Sequence, residues 1–263
     1  MTSPEEALAA RLRAAGCVFA EEEAALLLDA TDDPAVLEDL VARRAAGEPL
    51  EQLLGWVDFA GTRVLVGPGV FVPRQRTALV VDVATTLLGK GDVVVDLCCG
   101  AGALGAAVAA RVPGVEVHAV DVEPPAVAWA RRNLEPLGGR AYVGDLDAPL
   151  PDSLRGRVAV VVANAPYVPT GRIRDMPAES RDHEPRVTVD GGADGLAVLR
   201  RVVARSPYLL RPGGHLVVEA GRDQVPALVE AFGEAGFDSV EHHEDDERGA
   251  HTIAGRLLSA AGS

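Results

Sequence analysis

Three cysteines in 263 residues, two of them adjacent as Cys98-Cys99, are too few and too closely set for a disulfide framework or a C-x-x-C metal or redox pair. Positive charge is scarce as well. Twenty-five Lys and Arg face 39 Asp and Glu, a formal net charge of -14. Nucleic-acid affinity comes mainly from Lys and Arg displacing counterions, so the charge disfavours a large phosphate-tracking surface, and nucleic acid is not expected as a direct partner. No uninterrupted apolar run is long enough to span a bilayer, and Ser3-Pro4-Glu5-Glu6 is no basic-then-apolar leader. The expectation is a cytoplasmic protein without a membrane partner. It is expected to be monomeric, because no segment reads as an obligate apolar interface. What the chain does have is 48% hydrophobic residues, enough to bury one full domain and a small accessory one.

The punctuation divides the chain into residues 1–54, 55–78 and 79–263. In the first segment Ser3, Pro4 and Glu6 form a capping-box helix start, and Gly16 can stop that helix. Asp33-Pro34 repeats the start signal, Leu37, Leu40 and Val41 form an apolar stripe, and Gly47 ends the element. The second segment reads as a β-hairpin connector built on Val64-Leu65-Val66 and Val70-Phe71-Val72. From Val93 onward strand-like runs alternate with helical stretches, the pattern of an α/β fold with a mostly parallel sheet covered on both faces. Strands are expected at Val93 to Leu97, Val115 to Val120, Ala141 to Val143, Val158 to Ala163 and Gly214 to Glu219, with a closing pair at Phe237 to Val240 and His251 to Leu257. The long polar segment from Asn164 to Gly192 interrupts the rhythm directly after a buried strand. A loop of that length inside a compact domain is expected to be functional.

Glycine and acid recur at three successive strand ends, where open α/β sheets bind ligands. The first is Asp96-Leu97-Cys98-Cys99-Gly100-Ala101-Gly102, a strand running through a glycine turn into a helix whose free N–H groups suit a nucleotide-like ligand. Asp121, followed by Val122, stands where an acid can accept both hydroxyls of a ribose. Asp145, followed by Leu146, could accept a hydrogen from an adenine amino group. The fourth strand ends in Asn164-Ala165-Pro166-Tyr167. There the Asn164 side-chain oxygen and the Ala165 carbonyl can accept the two hydrogens of a planar –NH2. Pro166 biases Ala165 toward an extended turn, and Tyr167 can lay its ring over the planar group. No metal site is expected: His242-His243 with Glu244-Asp245-Asp246-Glu247 reads as a solvated acidic loop whose consecutive charges cannot converge on one ion.

These motifs resemble the protein glutamine-N(5) methyltransferases that modify peptide-chain release factors. The likeness runs along nearly the whole chain, through Arg44 to Gly55, Phe71 to Arg74, Asp96 to Gly102, Ala119 to Asp121, Gly144-Asp145, Asn164 to Tyr167, Glu184-Pro185, Gly191 to Leu196, Leu210 to Gly214, and Gly221 with Gln224. The resemblance implies a seven-stranded Rossmann-like class I methyltransferase sheet, S-adenosylmethionine as cofactor, and a glutamine-bearing protein as substrate. It implies that residues 1–54 recognise that substrate. It also implies roles: Asp96, Cys98, Cys99, Gly100, Ala101 and Gly102 around the methionine part of the cofactor, Asp121 and Val122 at the ribose, Asp145 and Leu146 at the adenine, and Asn164 to Tyr167 clamping the amide. The sequence departs from the family pattern at three places. Ala165 replaces a proline, Cys98 replaces the first glycine of the cofactor loop, and Pro73-Arg74-Gln75-Arg76-Thr77-Ala78 replaces Pro-Arg-Pro-Glu-Thr-Glu, removing two acids at the expected substrate mouth. The alternatives left open are a small-molecule N-methyltransferase, a methyltransferase of nucleic-acid exocyclic amines, and a cofactor-binding protein without catalysis.

Overall fold

The computed structural model describes residues 3–258. Four helices open the chain: α1 (Pro4–Ala14), α2 (Ala20–Ala30), α3 (Pro34–Ala45) and α4 (Leu50–Leu54). The Ser3 hydroxyl accepts from the Glu6 N–H while Glu6 accepts from the Ser3 N–H, so two of the free donors at the start of α1 are satisfied reciprocally. The Asp33 carboxylate caps α3 by accepting from the Ala35 and Val36 N–H groups at 2.8 and 3.4 Å. Leu8, Leu12, Leu27 and Val41 pack these helices into a core of their own. Within it Arg44 holds Glu23 through 2.6 and 3.1 Å bonds.

The connector hairpin lies earlier than the sequence suggests, in β1 (Trp56–Phe59) and β2 (Thr62–Leu65). Ala60 and Gly61, both at positive φ, make the two-residue turn between them. Val70 and Val72 are buried but belong to no strand, because the apolar run there packs against the main domain without a ladder partner.

The main sheet contains β3 (Val93–Leu97), β4 (Glu116–Asp121), β5 (Arg140–Val143), β6 (Val158–Ala163), β7 (Leu210–Glu219), β8 (Phe237–Asp245) and β9 (Ala250–Leu257). Its order is β5-β4-β3-β6-β7-β9-β8, parallel except for the last strands, where β9 runs antiparallel to both its neighbours. Helices α5 (Ala78–Thr86), α6 (Ala103–Arg111), α7 (Pro124–Leu134), α8 (Ala178–His183), α9 (Ala197–Arg205) and α10 (Val225–Glu234) complete the chain. All five residues of β3 are buried, and alternate ones face opposite layers: Val94 joins the core with α5, α6 and α7, whereas Val93, Val95 and Leu97 join α9 and α10. Each such valine or leucine contributes about 1.5–3 kcal/mol by leaving water.

From β3 the chain winds outward through β4 to β5, then returns to β6 on the other side of β3. The reversal leaves a crevice at the carboxyl ends of β3 and β6, where the polar sequence motifs lie. Strand β8 continues five residues past Val240, so His242, His243, Glu244 and Asp245 are strand rather than acidic loop. Hydrogen bonding to β9 holds this polar edge extended despite its lack of apolar patterning. Among the described residues no helix is long and apolar enough to cross a membrane.

Candidate active site

A cavity of about 220 Å³ opens at the switch point. Asp96, Cys98, Cys99, Gly100, Ala101, Asp121, Val122, Asp145, Leu146, Asn164 and Pro166 all line it. Gly102 does not. It sits at φ 76° behind the loop, where a Cβ would come within 3.2 Å of Ala130 and Leu134. Gly105 similarly faces Val117 at 3.0 Å, so these two glycines let α6 approach its neighbours, and Gly100 alone of the three borders the cavity.

Two acids shape the cavity wall. Asp121 accepts from the Gly100 N–H at 2.8 Å and from the Glu123 N–H at 2.9 Å, which fixes the glycine loop while leaving each oxygen a second lone pair. Its burial raises its pKa. Asp96 is fully buried, with one oxygen accepting from the Gly105 N–H at 3.0 Å and the other without a partner among the described residues. Desolvation pushes its pKa up to about 7. An unpartnered carboxylate oxygen beside a cavity fits a cationic donor such as the α-ammonium of S-adenosylmethionine. At the far end Asp145 is exposed and paired with Arg201 at 2.5 Å, a partner on α9 that no local sequence pattern reveals.

Cys98 adopts φ 58°, a left-handed conformation that costs a residue with a Cβ about 1–2 kcal/mol. Cys98→Gly removes this strain, although a freer unfolded chain returns about 0.4–1 kcal/mol of the gain. The substitution is therefore expected to stabilise the protein by about 0.5–1 kcal/mol, read as a higher urea midpoint at unchanged slope. Burial raises the pKa of both adjacent thiols, so neither is a ready thiolate nucleophile.

A second cavity, of about 420 Å³, is lined by Phe71, Arg74, Arg76, Tyr167, Glu179 and Glu184 among others. Asn164 and Pro166 border both cavities, and Ala165 borders the second. The Asn164 side-chain nitrogen donates to the Thr77 hydroxyl at 3.2 Å, which turns its oxygen loose as an acceptor. Among the described residues no donor occupies the Ala165 carbonyl.

Tyr167 is braced from three directions. Its hydroxyl donates to Glu219 at 2.9 Å and accepts from Arg76 at 2.7 and 3.1 Å, while its carbonyl accepts from the Gln224 side-chain amide at 2.9 Å. Burial and the Glu219 carboxylate raise the Tyr167 pKa, so the phenol stays protonated. Arg76 also reaches Glu219 at 3.0 Å. The arginine that replaces a family acid thus ties Tyr167 to β7. Thr77, Gln224, Arg76 and Glu219 carry no assigned role in the sequence reading. For Gln224 the Gly221 spacing was a signal, since its side-chain oxygen accepts from the Gly221 N–H.

The irregular segment after the clamp is held by ion pairs. Glu184, on a buried side chain, accepts from Arg74 at 2.6 Å and from the Val72 N–H at 3.1 Å, and Arg44 reaches Glu179 at 3.3 Å. The helical N-terminal segment, the connector and the segment after β6 therefore meet at the rim of the second cavity.

Comparison with known proteins decides what this arrangement belongs to. The methyltransferase small domain family matches residues 62–179. A release factor glutamine methyltransferase of Mycolicibacterium smegmatis is 37% identical, over 95% of this chain and 93% of that one. The chain belongs to the release factor glutamine methyltransferase family. It is an S-adenosylmethionine-dependent methyltransferase. A relative of different name, the 4-amino-L-phenylalanine/4-methylamino-L-phenylalanine methyltransferase of Streptomyces pristinaespiralis, is 36% identical over 73% of this chain and 69% of its own length. The fold is shared with the 16S rRNA N2 G1207 methyltransferase of T. thermophilus, solved with AdoMet and guanosine, at TM-score 0.54 and 21% identity over 77% of this chain and 49% of that one.

Proposed function

We propose that this methyltransferase transfers a methyl group to the side-chain amide nitrogen of a glutamine in a protein substrate of the release-factor kind, acting as a cytoplasmic monomer. The observation that carries this reading is the position of Asn164 on the wall between the two cavities, with a free side-chain oxygen beside the free Ala165 carbonyl. S-adenosylmethionine supplies an electrophilic methyl on a sulfonium. Asp96, Asp121 and Asp145 line the side that receives this cofactor, and the second cavity receives the glutamine.

An amide nitrogen is a poor nucleophile because its lone pair is delocalised. Acceptors at Asn164 and Ala165 hold its two hydrogens and raise electron density on nitrogen, and the Tyr167 ring covers the plane. The nitrogen forms the new bond as the sulfonium bond breaks, and one amide proton passes to water. Positioning of this kind supplies on the order of 7–11 kcal/mol of barrier reduction. No His or Lys is assigned as general base.

The raised pKa of Asp96 gives the cofactor step a pH dependence. Below about 7 the free protein carries a proton on Asp96, and an arriving ammonium group stabilises the carboxylate, so binding expels the proton. Affinity is therefore expected to rise with pH, by up to about tenfold per unit, and to level off above about 7. Calorimetry across this range checks it, and Asp96→Asn should flatten the profile.

Incubation of the purified protein with radiolabelled cofactor and a cell extract, followed by separation of protein, nucleic acid and small molecules, tests the substrate class. Label in the protein fraction is expected. Label confined to small molecules would replace the reading by amine methylation of the sort named for the Streptomyces pristinaespiralis relative. Solution scattering checks the monomer.

A further inference from the structure

Away from the active site, the β8–β9 register brings together a group of side chains that methyl transfer does not use. Glu244 lies directly opposite His251, and His242 lies two residues from Glu244 on the same strand. Alternation along the strand puts His242 and Glu244 on one face, and cross-strand pairing puts His251 on that face with them. The consecutive charges that look unable to converge are thus sorted by the pleat, with His243 and Asp245 sent to the other side. One ligand atom from each of His242, Glu244 and His251 lies within 4.8 Å of the others.

We propose that His242, Glu244 and His251 form a site for a divalent transition-metal ion such as Zn²⁺, with water completing the coordination. His242 Nε2 and His251 Nδ1 are 3.2 Å apart, and Glu244 Oε2 is 3.7 Å from the same His251 Nδ1. For a tetrahedral ion with metal–nitrogen bonds of about 2.0–2.1 Å, two nitrogens stand about 3.3 Å apart. Two imidazole nitrogens and one carboxylate oxygen are a donor set that zinc accepts.

His251 is nearly buried, and without metal its Nε2 accepts from the Arg222 Nε at 3.4 Å; metal at Nδ1 leaves the ring proton on Nε2, so Arg222 gives up this contact as the ion binds. Arg222 is exposed and also reaches Asp246 at 3.3 Å, so it can remain paired outside the site when the ion enters. Glu241, Glu244, Asp245, Asp246 and Glu247 outnumber Arg222 and Arg248 around this end of the hairpin, a balance that favours a cation. Bound metal would tie the edge strand β8 to its neighbour β9 and stabilise the end of the sheet.

Zinc titration of the untagged, chelator-treated full-length protein tests the site. One equivalent is expected to bind with micromolar Kd and to raise Tm. His242→Gln and His251→Gln, each alone, should weaken binding by about tenfold or more. His242 is exposed, so its variant keeps the apo fold and the methyltransferase rate. Co²⁺ in place of zinc should give visible bands without the thiolate charge-transfer band that Cys17, Cys98 or Cys99 would produce. Absence of binding in the wild type, binding unchanged in both histidine variants, or a thiolate band overturns the proposal.

Discussion

Asn164→Ala is expected to lower turnover by at least about a hundredfold, the scale of loss when a reacting group is misplaced by about 1 Å. The Asn164 oxygen is left free by the Thr77 contact, and the other side-chain oxygen of the Asn-Ala-Pro-Tyr turn, the Tyr167 hydroxyl, is already engaged by Arg76 and Glu219. Cofactor affinity should change much less, because Asp96, Asp121 and the glycine loop remain. Ala165→Pro is the companion variant. It keeps the carbonyl, and among the described residues the Ala165 N–H makes no hydrogen bond that proline would break, so activity should be retained. Single-turnover rates and cofactor calorimetry on both variants separate a clamp from a cofactor contact, and wild-type turnover in Asn164→Ala would remove the clamp.

Gly195→Ala is expected to damage both stability and catalysis. Gly195 has φ 77°, and a Cβ there would fall on the Tyr167 carbonyl oxygen and the Gln224 side-chain nitrogen, into the hydrogen bond that joins them. The left-handed conformation costs about 1–2 kcal/mol and the overlap about 1–3 kcal/mol, so a loss of about 2–5 kcal/mol is expected in denaturant melts. Turnover measured well below the melting transition should fall too, because Tyr167 loses its brace. Unchanged stability and turnover would show that the Gln224 contact does not position the clamp.

The fold was legible wherever burial imposes a period. In β3 and β6 every residue is buried, and the apolar runs mark these strands to their observed ends. The latter half of β8 was not legible: its polar residues sit on an edge strand, where cross-strand hydrogen bonds rather than apolar burial hold the chain extended. The irregular segment after β6 was visible as a break in rhythm, but its internal 3-10 turns and α8 were not, because its anchors lie far away in sequence at Arg44 and Arg74. Within the site, strand-end acids and the Asn-Ala-Pro-Tyr turn announce themselves by position. Arg76, Glu219 and Gln224 acquire their roles only when folding brings segments separated by 143 and 57 residues together.

The central claim, that the acceptor is a glutamine amide held at Asn164 and Ala165, is tested most directly by peptide mapping. Unmethylated release factor is incubated with S-adenosylmethionine and either the wild-type protein or Asn164→Ala, and its peptides are sequenced by mass spectrometry. The predicted result is a single methyl group on the side-chain nitrogen of one glutamine with the wild type and almost none with the variant. Methyl groups on another residue type, or equal glutamine methylation by both proteins, would contradict it.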